Sequence, residues 1–316
     1  MMPDPPVFGS LATYKAALAD LTLWRPIVEA VLARHGLGGA VGPLTPGHNP
    51  TYPTFLTPTV VVKFFGGFTD WRAGSAAERI ALTHLTQAPD RGVPDLGAPT
   101  LLAQGTVAPD RESPWPYVIM ARLSGVKVSR AGLSRPQWLN LAADLGDRVK
   151  RLHRLPLPQA TPPSWSPVPM AEAAARSSLP PHLAEQAAEF VNRYEPADPV
   201  LVHQDIVANH LYVSNGRLSG IIDWGDAIVA DRHIELIQIQ RDLFDCDKDL
   251  LRVFLAASAW PTTPDFPARA LAFGLRRQAI GLAQHHSIDV FQPIAAKFPL
   301  DQVPDLDALA MLVFGV

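Results

Sequence analysis

Cysteine is nearly missing from this chain. Cys246 is the only one in 316 residues, so no internal disulfide can form, which fits a reducing, cytoplasmic setting. No apolar run reaches the roughly 18 residues that a membrane-spanning helix needs, so no membrane partner is expected. Residues 1–10 have neither a basic stretch nor an apolar core and do not read as a secretory signal. They are Pro-rich and read as a flexible tail. A basic excess is also absent: 27 Lys and Arg face 30 Asp and Glu, for a net charge of -3. Nothing there points to nucleic acid as a partner. Internal repeats are absent, and the ten histidines form no tract. Proline, by contrast, is abundant at 32 residues, which implies many short elements joined by stiff connections. With 47% hydrophobic residues the chain has enough apolar material for a real core.

The first part of the chain mixes strands and helices. Residues 16–34 have helical spacing of apolar side chains, with Pro26 as a break or a new start. Thr59-Val-Val-Val-Lys-Phe-Phe65 is β-branched and aromatic and stops at Gly66-Gly67, so it reads as a strand and a turn. Residues 75–87 read as a helix, and 101–107 and 117–120 as short strands. From residue 133 onward the pattern turns helical. Ser134-Arg-Pro136 looks like a cap with proline in the first turn. Trp138, Leu141, Leu145, Val149 and Leu152 then recur every three or four positions and define one buried face. Residues 156–170 are a Pro-rich connection, and further helices are expected over 183–194, 252–258, 267–284 and 305–313.

One hairpin interrupts the helical part. Val200-Leu-Val202 leads into His203-Gln-Asp205 and then Asn209-His210; Leu211-Tyr-Val213 is a strand, Asn215-Gly216 a turn, and residues 218–222 the return strand, followed by Asp223-Trp-Gly-Asp226. Asn-Gly is the strongest short hairpin signal. Antiparallel pairing across it brings the segment with Asp205 and Asn209 beside Asp223. Two carboxylates, an amide and two imidazoles gathered there are costly without a cation or hydrogen-bond partners. They suit Mg²⁺ held by oxygen ligands, with one carboxylate left to orient an attacking hydroxyl.

This paired signature, His203-x-Asp205 followed by Ile221-Ile-Asp223-Trp-Gly-Asp226, resembles that of the aminoglycoside phosphotransferases and related kinase-like small-molecule kinases. The likeness covers roughly residues 40–240. It implies an α+β, protein-kinase-like fold: an N-terminal lobe over residues 1–118, a hinge over 119–125 and a helical C-terminal lobe over 126–316, with ATP between the lobes. By the same resemblance Asp205 orients, and can deprotonate, the hydroxyl of a small-molecule acceptor, and Asp223 binds Mg²⁺. Lys63 matches the lysine that holds the ATP phosphates, and Glu78 the glutamate that pairs with it. Main-chain atoms of Arg122 and Leu123, in Tyr117-Val-Ile-Met120-Ala-Arg122-Leu123-Ser-Gly125, match the hinge that meets adenine. Gly47-His-Asn49-Pro-Thr-Tyr52 resembles the loop that covers the nucleotide, although it is poor in glycine.

The chain departs from the pattern at one place. The metal-binding Asn of the kinase motif lies seven residues after the His; that residue here is His210, and Asn209 stands one earlier. Either His210 takes the second-metal position or a shifted loop gives it to Asn209, and as a ligand His210 is expected to be neutral. Plainer readings stand beside these. Lys63 could guard an edge strand, and Ser75 with Glu78 could form a capping box. His203 reads as structural, and Asp226, Asp231 and Glu235 could simply tie backbone. Asp242, Asp245, Asp247 and Asp249 read as a solvated face rather than a subsite for a cationic acceptor. His285-His286 is a poor metal pair, because neighbours on a helix point apart. The rival to phosphotransfer is a degenerate kinase-like protein that binds nucleotide or a partner and transfers nothing. A further alternative is a metal-hydrolase cluster of His203, Asp205, His210 and Asp223.

Overall fold

The computed structural model describes residues 2–48, 51–67, 71–89, 95–162, 166–285 and 288–316. The chain divides into two compact units, Met1–Ser124 with Trp224–Asp226, and Gly125–Asp223 with Ala227–Val316.

The first unit holds α1 (Leu11–Ala17), α2 (Leu21–Arg34), β1 (Thr45–Pro46), β2 (Thr54–Leu56), β3 (Val60–Phe64), α3 (Trp71–Thr86), β4 (Leu101–Val107) and β5 (Trp115–Ala121). Its strands form one antiparallel sheet in the order β1-β2-β3-β5-β4. Alternation along β3 sends Val60, Val62 and Phe64 to the face covered by α2, where they join Trp24, Ile27, Val28 and Val31. Trp24 anchors this core, with ring centroids 5.1 Å from Phe64 and 5.2 Å from Trp115. The same alternation turns Lys63 to the opposite face. The short helical turn Trp224–Asp226 packs on α3 within this unit.

Three local expectations change. The helix break assigned to Pro26 falls at residues 18–20, because Asp20 caps α2 by accepting from the amides of Thr22 at 2.9 Å and Leu23 at 3.2 Å. Pro26 sits inside α2, past the first turn, where its missing N–H costs the helix one internal bond. Second, α3 starts at Trp71, so Ser75 lies within the helix and cannot cap it. Third, β5 runs through Ala121, taking the strand into the segment read as hinge. Residues 2–10, expected as a flexible tail, take no regular element. Met2 and Phe8 nonetheless pack against the aromatic core, with Phe8 edge-on to Tyr14 at 5.4 Å.

The second unit holds β6 (Val126–Lys127), α4 (Arg135–Leu152), α5 (Met170–Ala175), α6 (Pro181–Ala184), α7 (Ala187–Asn192), β7 (Pro199–Val202), β8 (Leu211–Ser214), β9 (Arg217–Ile221), β10 (Ile228–Asp231), α8 (Leu236–Gln238), α9 (Lys248–Ser258), α10 (Phe266–His285), α11 (Gln292–Lys297) and α12 (Leu306–Phe314). A capping box between Ser134 and Gln137 starts α4, which buries Leu141, Leu145, Val149 and Leu152 and packs on α9. The single helix expected over 183–194 is two short ones, α6 and α7. The strands make two small antiparallel groups, β6-β8-β9 and β10-β7. Asn215 and Gly216 both have positive φ, at 51° and 73°, which is the twist a tight two-residue hairpin turn requires. Gly125, at φ 109°, is needed where it is: a Cβ there would lie 2.8 Å from the Ser219 hydroxyl.

Candidate active site

The loop between β7 and β8 is fixed at both ends before any side chain does chemistry. His203 is fully buried. Its Nε2–H donates to the Ile222 carbonyl at 2.9 Å, and its Nδ1 accepts from the Asp205 amide at 3.1 Å. Burial pushes its pKa below the ordinary histidine value. A neutral ring with both nitrogens occupied is a strut, not a metal ligand, so the hydrolase-type cluster that included His203 loses a member. The Glu235 carboxylate grips the same loop through the amides of His203 at 2.6 Å and Gln204 at 3.3 Å. Its other oxygen faces His153 Nε2 at 3.4 Å. At the far end, the Ile222 amide bonds to the His210 carbonyl at 2.9 Å, which continues the hairpin pairing up to Asp223. Gln204 and Asp223 both adopt left-handed backbone, at φ 65° and 67°. Such residues cost about 1–3 kcal/mol and cluster at functional sites.

The hairpin brings Asp205, His210 and Asp223 together. His210 Nδ1–H donates to the Asp205 main-chain carbonyl at 2.9 Å and lies 3.1 Å from Asp205 Oδ2, while its Nε2 lies 3.3 Å from Asp223 Oδ2, so one imidazole stands between the two carboxylates. Burial opposes a charge on this ring, but the bond to Asp205 and the charge of Asp223 outweigh it and raise the pKa to about 9. Burial likewise works against the Asp205 carboxylate, and the bond and charge of His210 reverse the balance and lower its pKa. The other Asp205 oxygen, Oδ1, accepts from Gln238 Nε2 at 2.6 Å. Asn209 is exposed and its Oδ1 accepts from the Ser129 hydroxyl at 2.7 Å. Among the described residues, no group of three or more His, Cys, Asp or Glu side chains is arranged to hold a metal ion.

In the first unit, the Lys63 ammonium is ion-paired with the Glu78 carboxylate. Both are buried, at 7% and 1% exposure, which a surface-guarding lysine would not be. The Lys63 Nζ also lies 5.2 Å from the Phe65 ring centroid and 5.6 Å from that of Tyr52. After β5, the Arg122 amide bonds to the Thr59 carbonyl at 2.9 Å, so that amide is not available to a ligand. The Leu123 amide has no acceptor among the described residues. Residues 47–53 link β1 to β2, with Asn49 and Pro50 outside the described residues; so is His286 of the His285-His286 pair. The four downstream acids are paired face residues: Asp247 and Asp249 with Arg135, Asp242 with Arg241, and Asp245 with Lys297.

A model of the phosphotransferase enzyme family matches residues 49–271 of this chain. The chain belongs to that family. Solved structures similar to this phosphotransferase include aminoglycoside phosphotransferase APH(3'')-Id from Streptomyces rimosus, 18% identical with a TM-score of 0.52 over 83% of this chain and 100% of that one. The GDP complex of aminoglycoside 2'-phosphotransferase-IIIa is 17% identical, with a TM-score of 0.58 over 90% and 96% of the two chains. The streptomycin–ATP complex of APH(2")-IIa is 19% identical, with a TM-score of 0.55 over 83% and 95%. At these identities the likeness establishes the fold, the α+β kinase-like fold of the aminoglycoside phosphotransferases.

Two residues of the candidate site escape a reading of motifs. Glu235 reads as an isolated turn carboxylate, and Gln238 draws no attention at all. A signal was present: Glu235 stands in the apolar run Ile234-Glu-Leu-Ile237, where a lone carboxylate must find donors. The donors are amides some thirty residues back in the chain, and only the fold reveals them.

Proposed function

We infer that this phosphotransferase moves the γ-phosphoryl group of ATP to a hydroxyl of a small molecule. The observation that carries the reading is the Asp205 carboxylate. It is bonded by Gln238 at one oxygen and faced by His210 at the other, is kept ionised by its surroundings, and retains 26% side-chain exposure. Such a group can accept a hydrogen bond from an incoming hydroxyl and draw its proton away as the oxygen attacks. The similar proteins solved with ATP, GDP and streptomycin support a nucleotide donor and a polyhydroxylated acceptor.

Asp223 is the proposed metal residue. Its side chain is 42% exposed, and a half-exposed carboxylate suits Mg²⁺, which keeps several waters and takes one or two carboxylates plus substrate phosphates. When bound, Mg²⁺ neutralises charge on the β- and γ-phosphate oxygens. His210 and Asn209 are the proposed residues for a second metal position. The imidazole fits Mg²⁺ less well than an oxygen ligand does, whereas its two contacts suit it to hold Asp205 and Asp223 at a fixed separation. Lys63, oriented by Glu78, supplies positive charge to the α- and β-phosphates. The Leu123 amide, without an acceptor among the described residues, is the proposed hinge donor for the base, with the Arg122 carbonyl beside it. Catalysis on this account is positioning and charge neutralisation, with little covalent work for the protein.

One observation favours the rival reading, a nucleotide-binding protein without transfer activity. His210 pairs with both carboxylates and so competes with cations for them. The two readings part in one experiment. MgATP should raise the melting temperature of the chain, Asp223→Ala should remove the Mg²⁺-dependent part of that shift, and the wild type should turn ATP over. Binding without turnover across a broad panel of hydroxyl acceptors would favour the rival.

A further inference from the structure

Glu235 and Gln238 lie three residues apart where the helical turn Arg232–Glu235 runs into α8, and both reach the loop that carries Asp205. Glu235 holds that loop by its main chain. Gln238 reaches the reactive group itself, donating from Nε2 to Asp205 Oδ1 at 2.6 Å. The chemistry fixes which way the amide faces, because an ionised carboxylate only accepts and the nitrogen must point at it. Gln238 is buried, at 9% exposure, and a bond to a charged acceptor in such a setting is among the strong ones. His210 meets the other oxygen, Oδ2, at 3.1 Å. Its Nδ1 also bonds the Asp205 main-chain carbonyl at 2.9 Å, so the carboxylate is bonded at one oxygen by an amide, faced at the other by an imidazole, and has little freedom to rotate. Directly after Gln238 the helix widens into a π turn over Ile239–Leu243, with the Phe244 amide bonded to the Ile239 carbonyl at 2.9 Å. Turns of this kind occur mostly at functional sites, and this one ends the helical stretch that supports the loop.

We propose that Gln238 is a positioning residue that aims the Asp205 carboxylate at the acceptor hydroxyl. The proposal rests on the reading of Asp205 as the residue that orients the acceptor. Its plain rival is a buried amide that has found the nearest acceptor and matters only to folding.

Two variants separate these. Gln238→Met keeps the length and removes the donor. Gln238→Glu keeps the shape and turns the donor into an acceptor facing Asp205. The first readout, on the full chain, is the ¹³C NMR signal of the Asp205 side-chain carboxyl in protein labelled at that carbon of aspartate. The signal is assigned by its loss in Asp205→Asn. It should move in both variants, and a signal unmoved in both overturns the proposal. The second readout is MgATP hydrolysis, with water as the acceptor and ADP release measured. The kcat should fall about 10- to 100-fold in each variant, the cost of a misaimed group. The KM for MgATP should change less than about twofold, as expected when binding is untouched. The double variant Asp205→Asn, Gln238→Met should be little slower than Asp205→Asn alone. A residue that serves folding alone would lower the melting temperature of Gln238→Met and leave kcat of a folded Gln238→Glu near wild type, which would overturn the proposal. A wild-type chain that neither binds nor hydrolyses MgATP would defeat the phosphotransfer reading by itself. The carboxyl signal would then still support or overturn the Gln238 contact.

Discussion

His210 stands where the kinase motif has a metal-binding asparagine, and its two nitrogens face two different carboxylates. Removing the ring would leave Asp205 and Asp223 to repel each other, and the proton affinity of Asp205 would rise with the loss of its main cationic neighbour. We therefore expect His210→Ala to lower ATP turnover by about tenfold or more, toward the range for a lost acid–base partner. Asn209→Ala should stay within about twofold, because that amide is exposed and spent on Ser129. Steady-state rates of both variants at several Mg²⁺ concentrations check this. The reverse ranking would give the second metal position to Asn209. His210→Asn loses the charge too but places an oxygen ligand there, so its turnover should rise steeply with Mg²⁺ concentration and match or exceed the wild type at saturation. The substitution itself was legible in the sequence as a break in motif spacing. The bridge was not, since it depends on where Asp223 ends up across the hairpin.

Asp231 shows how an element outside the motifs is held. It ends β10, and its carboxylate accepts from the His233 amide and ring, from the Ala197 amide and from Arg269, at 2.7–2.9 Å. Burial would raise its pKa, but the bonds from His233 and Ala197 prevail and hold it at about 2. The ordinary aspartate value, which stands for the unfolded chain, is 3.8. A depressed folded pKa adds stability that is fully present above the unfolded value and is lost as pH falls through the folded one. The shift is worth about 2 kcal/mol. Urea unfolding of wild type and Asp231→Asn should therefore converge by about that amount between pH ~5 and pH ~2. A gap that does not change with pH would contradict the assignment. The hairpin of β8 and β9 was readable from Asn215-Gly216, as were β3 and the capped start of α4, because each is set by neighbours in sequence. By contrast, β10 was missed: its partner is β7, from Ile228↔Val202 to Asp231↔Pro199, and nothing local announces that pairing. The capping-box reading of Glu78 failed for a related reason. A short Ser-x-x-Glu pattern is common, and helix α3 begins a turn earlier.

For the whole molecule, the order of elements already indicated the class, with a strand-bearing first part and a helical second part joined near residue 120. The family match over residues 49–271 and the similar solved structures agree with that class. Long-range topology was not legible. The return of Trp224–Asp226 to the first unit, directly after Asp223, cannot be inferred from local pattern. Nor does the acceptor follow from motifs: the downstream acids, read as a solvated face, are paired with Arg135, Arg241 and Lys297. The central claim is that Asp205 orients a hydroxyl for attack on the γ-phosphate of ATP. Its most direct test is transfer of label from [γ-³²P]ATP to a panel of hydroxyl-bearing small molecules, comparing wild type with Asp205→Asn at matched MgATP occupancy. The account predicts labelled acceptor with the wild type and a loss of roughly 10²- to 10⁴-fold in the variant, with MgATP affinity unchanged. An Asp205→Asn chain that labels the same acceptor at the wild-type rate would contradict it.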